Sequence, residues 1–300
     1  LITITMKKIL LSSLFAITML VSCDKKNETG TTTNDSGATP KETVAKPTPP
    51  KAEGTVRVLF VGNSHTEFFV SYPKMLEALC KENGKNVEVL TLVEMGVGID
   101  EVLSANKSKA DKMFAQTDTD GNYIDYVIMQ EATRVSVQED GKFSSNTKML
   151  HDLIVKNSPG VATYVYQLMT PLDIETSDFK TYQPQIVEIV KEVAKSLPNA
   201  GVVNFADVLT SAYEGKEGYV SKKDGADLLR FSDSSKHALN DAVFLNSIVL
   251  YQYLFGETPK IPQQLPLSTG TSDSDEIKLM DVSKGVSNPE ALLKIATSFK

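Results

Sequence analysis

Four consecutive apolar residues, Val58-Leu59-Phe60-Val61, leave a strand with no polar face to turn toward water. Such a run suits a strand buried on both faces of a parallel sheet, since a strand with one wet face alternates. Gly62 and Asn63 then break the run with turn chemistry, and Ser64 follows. In open α/β sheets, ligands bind in the crevice outside the carboxyl ends of the strands. The Ser64 hydroxyl therefore has two readings. It caps the next helix, a role that serine favours, or it faces such a crevice.

Downstream, apolar runs alternate with helical patterns. Pro73 to Glu82 places Met75, Leu76 and Leu79 on one helical face, and Asn83-Gly84 ends it. Val87 to Val93 reads as a second strand, followed by a Gly96-Val97-Gly98 turn and a helix over 99–115. Tyr123 to Met129 is a third strand, ending in Gln130-Glu131. A helix over 147–156, a strand over 162–169, a helix over 183–196, a strand over 201–205 and a helix over 238–255 complete the series. Strands separated by helices of this length predict βαβ units and a parallel sheet covered on both faces. With right-handed crossovers, the expectation is an α/β, three-layer, flavodoxin-like fold with a five-stranded sheet in the order 2-1-3-4-5.

Both ends of the chain read differently. Met6-Lys7-Lys8 opens a basic region and 9–21 is apolar but too short to span a bilayer. Leu20-Val21-Ser22-Cys23 has the form of a bacterial lipobox. The expectation is a lipoprotein signal over 1–23, with Cys23 lipidated and anchoring an exported chain in the cell envelope. A tether over 24–54, rich in Lys, Asn, Thr, Gly and Pro, has too few large apolar residues to build a core. The globular domain is expected over 55–256. A Pro-, Ser- and Asp-rich extension follows over 257–300, with a terminal helix at 289–299. After processing, Cys80 is the one remaining thiol, which excludes an intramolecular disulfide. The net charge of −7, with both signs interspersed, gives nucleic-acid binding no electrostatic support. No glycine-rich phosphate fingerprint follows the first strand, and no short His/Cys/carboxylate cluster predicts a metal; no cofactor is expected.

Three histidines narrow the chemistry. His65 adjoins Ser64 and cannot easily reach round to serve as its base. His151 falls mid-helix, where helix packing is its natural role. His237 opens the last long helix after a polar loop, and Asp233 precedes it by four residues. A hydroxyl needs a nearby base to attack at neutral pH, and a carboxylate on the other ring nitrogen fixes the tautomer.

These motifs resemble those of the SGNH (GDSL-type) hydrolases, from the first strand to the last long helix. Gly62-Asn63-Ser64 stands where that family has Gly-Asp-Ser, and His237 where it has its base. Asp233 stands one position before the family's Asp-x-x-His spacing, so either Asp233 or a backbone carbonyl orients His237. The strand ending Met129-Gln130-Glu131 is similar to a bacterial SGNH-like group whose third strand ends Leu-Gln-Glu. The resemblance implies Ser64 as nucleophile and an oxyanion hole from the Ser64 N–H, a Gly96 or Gly98 N–H, and the Gln130 amide. It implies an ester substrate, in this setting an acyl group on carbohydrate. Asn63, His65, Glu131 and Arg134 flank the expected site as substrate-binding candidates. A different class remains open: a lipoprotein that keeps the crevice as a glycan or small-ligand binding module.

Overall fold

A computed structural model describes residues 44–51, 54–138, 140–272 and 275–300. The expected signal, its lipobox Cys23 and most of the expected tether lie outside the described residues. The elements in chain order are β1 (Val56–Gly62), α1 (Tyr72–Glu82), β2 (Val87–Val93), α2 (Ile99–Ala105), α3 (Lys107–Phe114), β3 (Tyr126–Met129), α4 (Thr133–Gln138), α5 (Asp140–Val155), β4 (Ala162–Tyr166), α6 (Ser177–Lys195), β5 (Ala200–Val203), α7 (Phe205–Tyr213), β6 (Lys222–Lys223), β7 (Ala226–Asp227), α8 (Asn240–Phe255), β8 (Gln264–Ser268), β9 (Ile277–Asp281), α9 (Val282–Gly285) and α10 (Pro289–Thr297).

The main sheet has the expected order, β2-β1-β3-β4-β5, and every pairing is parallel. Side chains alternate between its two faces. Val58, Phe60, Tyr126, Ile128, Tyr164 and Tyr166 pack with α1, α7, α8 and α10. Leu59, Val61, Val127 and Met129 pack on the other side with α2, α3 and α5, while Val165 meets α6. Burial on both faces is what the unbroken apolar runs required.

Local chemistry accounts for where the elements differ from expectation. The helix expected over 99–115 is two helices, because the Asn106 side chain donates to Val102 O (3.0 Å) and its backbone leaves the helical region. The helix expected from 183 begins at Ser177, with the Thr176 hydroxyl accepting from Phe179 N–H. Pro184, which suits a helix start, lies inside it instead.

Both ends of the domain are more closely integrated than the composition suggested. Residues 44–51, expected to be tether, lie across the amino-terminal ends of the strands. Pro47 is buried, Thr48 exchanges two hydrogen bonds with Asn199, and Lys51 pairs with Asp118 (2.5 Å). The extension is likewise part of the core. β8 and β9 form an antiparallel hairpin, and α10 packs on α8 through Leu292 and Ile295. Among the described residues, no helix is long and apolar enough to cross a membrane.

Candidate active site

The chain leaves β1 through Gly62 into a tight turn built around Asn63. The Asn63 carbonyl accepts from Thr66 N–H (2.8 Å) and Glu67 N–H (3.3 Å), and its Oδ1 accepts from His65 N–H (3.1 Å). A Cβ on residue 62 would fall on Thr66 Oγ1 and Gln130 Oε1. Glycine is needed here for close approach. The helix that follows is capped by Ser71, whose hydroxyl accepts from Lys74 N–H (3.2 Å). Ser64 is therefore not the cap. It is half-buried, and its hydroxyl makes no hydrogen bond to a described residue.

His237 arrives from the other side, on the loop before α8. Its Nδ1 is hydrogen-bonded to Asp233 Oδ2, and its N–H donates to Asp233 Oδ1 (3.2 Å). The four-residue spacing closes because Lys236 takes the left-handed conformation, φ +53°. Non-glycine residues adopt that region at a cost of roughly 1–2 kcal/mol. The extra residue relative to Asp-x-x-His is thus absorbed in the turn, and Asp233, not a backbone carbonyl, lies on Nδ1.

The His237 ring sits among rings from the turn that bears Ser64. Centroid distances are 4.5 Å to Phe68, 5.1 Å to His65 and 6.0 Å to Phe69, and Phe231 meets Phe69 at 4.9 Å. Nε2 is buried with no hydrogen-bond partner. The fold has therefore brought the imidazole onto the serine turn without forming a serine–imidazole hydrogen bond. His65 lies beside His237 and lines a cavity of about 20 Å³ together with Tyr72, Tyr166, Arg230 and Lys236. Burial pushes its imidazole down to about 4, and the neighbouring His237 pushes in the same direction. Near neutral pH it is uncharged.

The expected oxyanion and substrate residues do not all face one crevice. Gly96 is exposed with φ +74°, and its N–H donates to no described residue. The Gly98 N–H instead donates to the Glu101 carboxylate (3.2 Å). Gln130 does not fit the oxyanion role expected of it. Its Oε1 accepts from Asn63 N–H (2.8 Å) and the Thr66 hydroxyl (2.9 Å), and its Nε2 donates to Glu131 O (2.6 Å). Backbone groups at both ends fix the amide's orientation, so Gln130 supports the turn from beneath, 1 % exposed.

Asn63 and Glu131, expected to touch substrate, are 3 % and 1 % exposed and hold the framework. Asn63 Nδ2 donates to Val97 O (2.8 Å), tying the serine turn to the glycine loop. Arg134 stays at the rim, half-exposed and paired with Glu101 (3.2 Å). Sequence reasoning missed the aromatic surround of His237. Its one visible signal was the Phe68-Phe69 pair so soon after the strand end.

No protein-family model and no curated protein matches the sequence. Solved structures do match. A DUF4886 family protein from Bacteroides uniformis superposes over 82 % of this chain and 94 % of its own, with a TM-score of 0.56 at 14 % identity. An SGNH hydrolase, so described, from Slackia heliotrinireducens superposes over 67 % of this chain and 100 % of its own, with a TM-score of 0.52 at 16 % identity. At these identities the likeness establishes the fold. The chain has the three-layer α/β fold of the SGNH hydrolases, as its motifs led one to expect.

Proposed function

We propose that this protein is a serine ester hydrolase of SGNH type, with Ser64 as nucleophile, His237 as base and Asp233 as its orienting carboxylate. The observation that carries the reading is the Asp233–His237 pair seated against the Ser64 turn at the carboxyl edge of the sheet. Asp233 takes Nδ1, which leaves Nε2 as the proton acceptor. In the first step Nε2 takes the Ser64 proton as Oγ bonds to the ester carbonyl carbon, and the carbonyl π electrons move onto oxygen. That oxyanion is met by the Ser64 and Gly96 N–H groups. Losing one such donor typically costs on the order of 10²–10³ in turnover. Collapse breaks the carbon–alkoxy bond, and the imidazolium protonates the departing alcohol. Water, deprotonated by the same nitrogen, then releases the acid from Ser64.

The finer reading is an exported protein anchored through Cys23 that removes O-acyl groups from carbohydrate. It is supported by the lipobox, by the motif resemblance, and by Phe68, whose 44 % exposed ring offers a surface to the C–H face of a sugar. A second reading, a binding module with the same crevice, draws on the buried and unpartnered His237 Nε2. One experiment separates the two. The purified protein is given p-nitrophenyl acetate and a fluorophosphonate probe, alongside Ser64→Ala and His237→Ala. The esterase reading expects labelling at Ser64 in the wild type and a fall in kcat on the order of 10⁶ in either variant. Turnover retained in either one sinks it.

A further inference from the structure

Glu131 stands at the end of β3 with its carboxylate enclosed, and its three hydrogen-bond donors are all neutral. Oε1 accepts from Ile99 N–H (3.2 Å), the first residue of α2, and from Ala132 N–H (2.7 Å). Oε2 accepts from Asn146 Nδ2 (2.9 Å) on α5, and that same amide nitrogen reaches Asp100 (3.1 Å). Enclosing a carboxylate without a cation is costly. Burial accordingly lifts its pKa above the usual carboxylate range, while the three donors hold it down. An apolar side chain at this strand end would pack without that cost, so the carboxylate's geometry needs a reason.

The reason lies in what Oε1 touches. A Cβ on Gly98 would stand 2.6 Å from it, so residue 98 is bare where the carboxylate passes. The loop 96–98 is gripped twice, on the serine side by Asn63 Nδ2 on Val97 O and on the β3 side by Glu131 on Ile99 N–H. The Gly96 amide lies one residue before the first grip, and its N–H donates to no described residue. We propose that Glu131 is a positioning residue for ester hydrolysis, holding the start of α2 so that the 96–98 loop presents an amide to the developing oxyanion. The proposal rests on the Ser64 hydrolase reading. Glu131 touches no reacting atom. Its effect runs through the loop, and it belongs to the transition state rather than to ground-state binding.

The test compares the wild type, Glu131→Gln and Asn146→Ala. The measurements are p-nitrophenyl acetate kinetics, thermal unfolding and amide hydrogen exchange across residues 94–102. In Glu131→Gln the amide oxygen still accepts from the backbone, but its NH₂ group opposes the Asn146 donor. Expected are a fall in kcat of about 10²-fold, the size of one weakened oxyanion donor, KM within about twofold, and faster exchange confined to 94–102. Asn146→Ala, which leaves the carboxylate in place, is expected to move kcat and exchange in the same direction by less, and it stands in if Glu131→Gln does not fold. An unchanged kcat, or a raised KM with kcat intact, overturns the proposal. So does a fall in kcat with no change in exchange over 94–102. A wild type that neither turns over ester nor labels at Ser64 overturns the premise along with it. That outcome is told apart because it is seen before any variant is made.

Discussion

Asn63, Gln130 and Glu131 show how little a polar residue's place in the sequence says about what it faces. All three occupy strand-end positions where substrate contacts are expected, and all three point inward. Each satisfies backbone groups that the adjoining turns leave unpaired, which buried structure requires. His65 is the residue whose burial makes the clearest prediction. Its folded pKa of about 4 lies below the ordinary 6.5. The unfolded chain therefore takes up this proton first as the pH falls. The stability tied to the neutral ring is complete above about pH 6.5 and is lost as the pH drops toward 4, a term of up to about 3 kcal/mol. Glu131 and Asp241, whose carboxyls burial raises, act with the opposite sign. They are common to both proteins in the comparison that follows. Urea unfolding from pH 7.5 to 4.5 should show a flatter acid limb in His65→Phe than in the wild type. Parallel limbs would contradict the assigned burial.

At the scale of elements, the site depends on two turns. The serine turn is closed by hydrogen bonds onto Asn63 and Gln130, and it has no room for a Cβ at residue 62. Gly62→Ala should displace Thr66 or Gln130, cost about 1–3 kcal/mol by overpacking, and lower turnover at Ser64 more than it lowers the melting temperature of the sheet. Unchanged kinetics would show that the turn absorbs the methyl group. The histidine loop closes through a left-handed Lys236, which is why a spacing one residue too long still brings a carboxylate onto Nδ1. Sequence pattern located both turns, since Gly62-Asn63 and the polar run before His237 are strong breakers. It could not supply the bonds that tie the serine turn to Val97 and Gln130, because these join residues 34 to 67 positions apart.

On the scale of the whole molecule, α8 is buried nearly all round. α1 and α7 cover part of it, and α10 from the extension covers another face. The buried Asp241 joins the pieces, accepting from the Tyr219 hydroxyl (2.6 Å) and from Ser287 N–H (3.0 Å). The extension is thus a wall of the core. Leu292→Ala, at a fully buried position, should cost about 2–5 kcal/mol. A chain ending at Gly256 should lose its cooperative thermal transition. A truncated chain that melts within a few degrees of the full one would make the extension a mere appendage.

The amino-acid order alone determined the alternation of strand and helix and the five-stranded parallel sheet in its 2-1-3-4-5 order. Those follow from local periodicity and turn residues, which act over a few positions, and from connection rules that leave few topologies. Only the folded sheet decided which polar residues face the crevice and which are bonded away beneath it, because that depends on partners far apart in the chain. It placed Asp233 on His237, set aromatic rings around that imidazole, and made supports of Gln130, an oxyanion candidate, and Glu131, a substrate candidate. A buried polar group takes whichever backbone amide the packing leaves unpaired, and no short stretch of sequence specifies which one that will be.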